Sequence, residues 1–135
     1  PKNTFSRKLP LRAYSRGMGA LGLPGDLSSS SRFVRAAFAA RNAVSGSGEA
    51  ESVAQFFHIL GFVSQPRGCA AAGEGYEVTI YSACCNADAG VYYYSTYEDP
   101  AVRAVDMRRE DLGGKVLARY PFRRRLTVLR ENSVR

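Results

Sequence analysis

Apolar residues recur at helical spacing in two stretches of this chain and at strand spacing in a third. Phe33, Ala37, Ala40 and Val44 fall three or four positions apart, with Val34 and Phe38 beside them. This predicts a helix from about Ser31 to Asn42. The serines ahead of it are a start signal, because an N-cap hydroxyl accepts from a free amide of the first turn. Val44-Ser45-Gly46-Ser47-Gly48 then stops the helix. Val53, Phe56, Phe57 and Leu60 form a second stripe, predicting a helix from about Ala50 to Leu60 with Gly61 as its cap. Glu49 and Glu51 sit where the helix dipole favours negative charge. Residues 64–75 read as loop. Tyr76 to Cys85 and Val91 to Tyr97 are rich in β-branched and aromatic residues. Asn86-Ala87-Asp88-Ala89-Gly90 between them is turn-forming, so the pair reads as an antiparallel hairpin. Val102 to Met107 reads as a third strand, Arg108 to Leu112 as a helical turn, and Lys115 to Phe122 as a short last strand.

Both hairpin strands carry apolar or aromatic groups on each face, as expected of a sheet covered on two sides. Two helices suffice for one side, and nothing else in the chain is large enough for the other. The fold class expected is therefore α+β, with part of the fold supplied from elsewhere. The 135 residues are the size of one domain and show no internal repeat.

The region ahead of the first helix stands out. Gly17, Gly19, Gly22, Pro24 and Gly25 exclude regular helix and let backbone pass close to backbone. The serine run follows, and Arg32 sits in the first turn, where a cation works against the helix dipole. A residue set against a local rule often has a partner or a task; the plainer reading is a hydrated surface arginine.

Charge and cysteine usage narrow the function classes. The net charge of +7 is uneven: residues 1–41 hold eight Lys/Arg against one acid, 42–100 one against seven, and 101–135 ten against four. Residues 1–16 form an irregular basic lead-in. The basic ends would suit nucleic acid, but only Arg123-Arg124-Arg125 is a true run, so flanks lying against acidic surface are the preferred reading. No run of eighteen apolar residues exists, and residues 1–5 have no signal-peptide core, so no membrane span is expected. Pro1 is not an initiator methionine, and the chain is expected to begin within a longer one. Cys69, Cys84 and Cys85 have no CxxC spacing, and His58 is the sole histidine. No metal site or cofactor is expected, Cys84 and Cys85 read as structural and buried, and a reducing, cytoplasmic setting fits.

Familiar chemistry is scarce. Ser31, His58 and Asp26 could be drawn as a triad, but no nucleophile elbow supports it, and Gly46-Ser47-Gly48 has the wrong pattern. Gly17, Gly19 and Gly22 match G-x-G-x-x-G without the strand–helix frame that gives it meaning.

The runs Tyr14 to Gly19, Gly22-Leu23-Pro24-Gly25-Asp26, Ser31 to Phe38, Glu51 to Gly61, Tyr76 to Asn86 and Gly90 to Tyr94 together resemble the choloylglycine hydrolase family, the conjugated bile salt hydrolases. The resemblance runs through nearly the whole chain and matches the C-terminal portion, somewhat under half, of a family member. It implies an αββα N-terminal-nucleophile hydrolase sandwich, with residues 1–135 contributing the C-terminal portion of its single domain. It also implies cleavage of glycine- or taurine-conjugated bile acids by a cysteine at a mature N-terminus. The thiol attacks the amide and its own amine shuttles the proton. That cysteine and its oxyanion-binding asparagines would precede Pro1. Arg32 is the position that maps onto a family active-site residue. The resemblance further implies a homotetramer when complete, and an inactive chain on its own. Penicillin V acylase, with the same chemistry on another amide, is the alternative within the family; a basic nucleic-acid-binding module is the alternative outside it.

Overall fold

The computed structural model describes residues 16–132. Most of the basic lead-in expected over residues 1–16 lies outside them. Two helices, α1 (Ser29–Asn42) and α2 (Glu49–Gly61), come first. A two-residue hairpin follows, β1 (Ala71–Ala72) with β2 (Gly75–Tyr76). Then comes an antiparallel sheet of β3 (Tyr81–Asn86), β4 (Val91–Thr96) and β5 (Arg103–Asp106), in the order β3-β4-β5. The α+β class and the hairpin with its third strand are as the sequence predicts.

α1 begins two residues early. Ser28 is its N-cap and accepts from the Ser31 amide at 3.3 Å. In α2, Gly61 is the last helical residue and not the cap; Phe62 caps in right-handed geometry, its amide shared among the final carbonyls. The turn ahead of α2 is closed by Glu51, which accepts from the Gly48 amide at 3.2 Å.

Three further expectations are corrected. Loop 64–75 contains the β1 strand and the start of β2, so it is not wholly irregular. The long strand starts at Tyr81 and not at Tyr76. The preceding residues bond elsewhere, the Glu77 amide to the Ala70 carbonyl and the Thr79 amide to the Gln65 carbonyl. Lys115 to Phe122 forms no strand. Gly113 and Gly114 open that segment and Pro121 removes a ladder donor near its end.

The strand register sorts the sheet into two faces. Ser82, Cys84, Asn86, Tyr93 and Ser95 share one, and α2 packs on it: Asn86 donates to Glu49 Oε1 at 2.6 Å. The Tyr93 hydroxyl also bonds Glu49, an arrangement that raises its pKa. α1 in turn packs against α2. Tyr81, Ala83, Cys85, Tyr92, Tyr94 and Val105 share the other face. Among the described residues only the tail crosses it, where Tyr120, Pro121 and Phe122 close a cleft of about 270 Å³ over Tyr81, Tyr92, Tyr94 and Val105. Tyr81 remains 58 % exposed and Tyr92 37 %.

The β4–β5 connection is fixed by Asp99, 1 % exposed. Its carboxylate accepts from Arg103 Nη2 at 2.7 Å and from the Ala101 amide at 3.2 Å. The Arg103 guanidinium holds its pKa below the ordinary carboxylate value.

The arginine junction, a candidate functional site

The glycine-rich segment makes one 3₁₀ turn at Met18–Ala20, flanked by Gly17 at φ 86° and Gly22 at φ 92°. Both lie in the left-handed region that glycine enters without strain. Met18, at 6 % exposure, is the one buried hydrophobic side chain among the described residues.

The chain reaches α1 through Asp26, whose carboxylate organises the junction. One oxygen accepts from the Ser28 amide at 2.9 Å, the other from the Ser31 hydroxyl at 2.5 Å. Hydrogen bonding to the ionised form lowers the Asp26 pKa from 3.8 to about 2, the Ser28 side chain contributing most and Ser31 next. Ser31 is buried beneath this network.

Arg32 is the next residue. Its amide enters the helix by donating to the Ser28 carbonyl at 2.9 Å. Its side chain turns to the far end of α2, where Nε donates to the Val63 carbonyl at 2.9 Å. The side chain is part-buried, and its two Nη groups have no hydrogen-bond partner among the described residues. One N–H thus fixes the guanidinium, and the four on its two Nη groups are left to act.

Gln65 completes the frame. It is buried at 7 % exposure. Its side-chain amide donates to the Leu27 carbonyl at 3.3 Å and its backbone amide to Thr79 Oγ1 at 2.9 Å. The entry to α1, the exit from α2 and the approach to β3 therefore meet around Arg32. Sequence patterning marks Arg32 but misses Gln65, a polar residue before a proline with no periodic signal. It also gives Asp26 and Ser31 no role except in a discarded triad.

The other candidates fall elsewhere. His58 is exposed on α2 and lines a cleft with Phe38, Gln55 and Phe62, apart from Asp26 and Ser31. The cysteines correct an expectation: Cys85 and Cys69 are exposed and Cys84 is half-buried, all three as free thiols. Burial raises the Cys84 pKa, with the neighbouring Cys85 adding to it, so Cys84 stays a thiol near neutrality. Of the basic run, Arg124 lies over the Phe122 ring at 5.9 Å and the Arg123 carbonyl accepts from Thr96 Oγ1 at 2.7 Å. No described helix is long and apolar enough to cross a membrane.

Comparison with known proteins gives the chain a family. The family described as linear amide C-N hydrolases, choloylglycine hydrolase family, matches residues 1–120. The chain is 55 % identical over 124 residues to a bile salt hydrolase/transferase of Lactiplantibacillus plantarum, covering 91 % of this chain and 38 % of that protein. It is 35 % identical over 119 residues to a bile salt hydrolase/transferase of Clostridium perfringens, covering 87 % of this chain and 36 % of that protein. It thus spans under two fifths of these relatives' length. A crystal structure of a variant conjugated bile acid hydrolase from Clostridium perfringens superposes with a TM-score of 0.77 at 34 % identity, over 93 % of this chain and 39 % of that one. A penicillin V acylase from Agrobacterium tumefaciens superposes with a TM-score of 0.59 at 27 % identity, over 70 % of this chain and 30 % of that one.

Proposed function

Because this chain belongs to the choloylglycine hydrolase family of linear amide C–N hydrolases, we propose that it is the C-terminal portion of a bile-salt-hydrolase-type amidase. In this reading Arg32 supplies a guanidinium to a cysteine nucleophile carried outside residues 1–135. One observation carries it: Arg32 is part-buried and tied through Nε to the Val63 carbonyl, with both Nη groups unengaged by the described residues. A guanidinium held this way stabilises a nearby thiolate and lowers its pKa. The thiolate attacks the amide carbonyl of a glycine- or taurine-conjugated bile acid, the C–N bond breaks, and the amine leaves with a proton. Water then releases the acid from the thioester. The open aromatic face of the sheet supports a second layer contributed by the rest of the sandwich. The three free thiols fit a reducing cytoplasm, and the assembled enzyme is a homotetramer.

The test is Arg32→Ala in the complete enzyme. Turnover of glycocholate is expected to fall by about 10²-fold or more, with the melting midpoint nearly unchanged. Full activity in that variant overturns the role, and turnover by the isolated 135 residues overturns the assignment of the nucleophile. A second substrate reading is favoured by the penicillin V acylase superposition. Side-by-side assays on a conjugated bile salt and penicillin V decide between them.

A further inference from the structure

Arg32 is only as well placed as the carbonyl that holds it. Val63 belongs to the turn that ends α2: its amide donates to the Leu60 carbonyl at 3.1 Å, and the Ser64 amide to the Gly61 carbonyl at 3.2 Å. Terminal turns of this kind are where helices fray. Two residues on stands Gln65, which Pro66 keeps out of helical geometry. Thr79 holds the Gln65 main chain on both sides. The Gln65 amide donates to Thr79 Oγ1 at 2.9 Å, and the Gln65 carbonyl accepts from the Thr79 amide at 3.1 Å. The largely exposed excursion of residues 66–78 leaves and returns through this pair. The Gln65 side chain then crosses to α1. Its Nε2 donates at 3.3 Å to the carbonyl of Leu27, the residue ahead of the N-cap.

Two bonds therefore run between the same two stretches, Leu27 with Gln65 and Arg32 with Val63. A single tie lets two segments pivot about it, and a second tie a few residues away fixes the angle. The Leu27 carbonyl only accepts, so the tie needs the amide donor of Gln65, and an apolar side chain of the same length cannot supply it. Gln65 is 7 % exposed, which leaves little access for water to take its place.

We infer that Gln65 is a positioning residue for the reaction. By fixing the Val63 carbonyl against the start of α1, it holds Arg32 Nε in place and so sets where the two Nη groups point. The inference rests on the reading of Arg32 as the guanidinium that serves the nucleophile, and it adds the residue that aims it. A displacement of about 1 Å in such a group is enough to slow a reaction by about 10²-fold. Gln65 touches neither substrate nor thiol in this scheme; it acts through Arg32.

The test is Gln65→Met in the complete enzyme, a change that keeps the side-chain length and removes the donor. The kcat for glycocholate is expected to fall by about 10-fold or more while KM changes by less than about 3-fold. The pH midpoint for inactivation of the enzyme by iodoacetamide, which reports the nucleophile's thiol, is expected to rise. On an Arg32→Ala background the same substitution should cost little further kcat. In arginine-labelled enzyme the Arg32 Nε–H signal, identified by its loss in Arg32→Lys, should exchange with water several-fold faster once Gln65 is replaced. An unchanged kcat, or an equal loss with and without Arg32, overturns the inference, because a residue that only supports the fold adds its cost in either background. Should Gln65→Met fail to fold, Thr79→Val, which removes the acceptor for the Gln65 amide, goes through the same cycle and is held to the same outcomes. If Arg32→Ala is itself fully active, the functional reading falls alone, and the Nε–H exchange decides whether Gln65 holds Arg32: faster exchange upholds that role and unchanged exchange overturns it.

Discussion

The arginine junction and the open face of the sheet are finished to different degrees. At the junction, three chain segments are cross-tied by side chains with named partners: Asp26 to Ser31, Arg32 to Val63, Gln65 to Leu27 and to Thr79. On the open face, Tyr92 lies beside Tyr94 with ring centroids 6.3 Å apart, and Tyr81 and Tyr92 stay exposed with little of the described chain above them except Tyr120 to Phe122. Polar bonds of short range close on themselves within one chain, whereas a large apolar face needs another layer. The difference separates what this chain does for itself from what it offers to the rest of the fold.

The strongest way to break the open face is at Asp99. Its carboxylate is buried and neutralises Arg103, which lies on that face opposite Tyr94. Asp99→Ala leaves the guanidinium unpaired and frees the β4–β5 connection. A drop in melting midpoint of about 5–10 °C is expected, with Arg103→Met on the same background returning part of it. A change under 1 °C would show that the strands keep register without the pair. A smaller and differently signed effect is expected at Tyr92. Tyr92→Lys should make the isolated chain less prone to self-association, because it breaks an exposed aromatic patch. In the complete enzyme the same change should destabilise by about 1–3 kcal/mol, since it buries a charge. Sedimentation of the first and denaturant unfolding of the second read the two signs. The same sign in both would mean that no second layer covers this face.

The elements were legible in the sequence because their signals are local. Phe33 to Val44 and Val53 to Leu60 carry helical periodicity, and the Asn86–Gly90 turn between aromatic runs fixes the hairpin. The open face could also be anticipated, since aromatic residues on both sides of a strand require two covers. The strand boundaries were less visible. Tyr76 to Ile80 has the composition of a strand, yet its amides are spent on Ala70 and Gln65, a tertiary choice no propensity records. Lys115 to Phe122 failed for the converse reason: apolar residues were present, but their end crosses the face of the sheet instead of lying along an edge, and Pro121 removes a ladder donor. At the site, Arg32 was detectable because it opposes the helix dipole. Gln65 was not, because its importance lies in bonds to residues 14 and 38 positions away.

The junction is sharpened by acid. Asp26 is depressed from 3.8 to about 2 when folded. Its contribution is therefore full above the ordinary carboxylate range and is lost as pH falls through about 2, because the unfolded chain takes up the proton first. Stability is expected to decline between roughly pH 4 and pH 2 with a slope that Asp26→Asn reduces. Helical circular dichroism during acid titration reads it, and equal slopes in the two proteins would remove Asp26 from the capping of α1.

The smallest effect is expected at the base of the β1–β2 hairpin. Arg67 spans 3.5 Å to Glu98, both partly solvated, and lies over the Tyr97 ring at 5.4 Å. An exposed pair of that length contributes at most about 0.5 kcal/mol, and less in salt. Its backbone N–H, however, donates to the Tyr97 hydroxyl at 2.9 Å, a bond that holds the loop by its main chain. Tyr97→Phe should thus cost more than Glu98→Gln, by about 0.5–1 kcal/mol, and raise amide exchange across residues 66–76 while leaving Arg32 and its neighbours protected. The reverse ranking would mean that charge, and not the backbone bond, anchors this hairpin. It would also mean that the cross-tied polar region extends no further than Thr79.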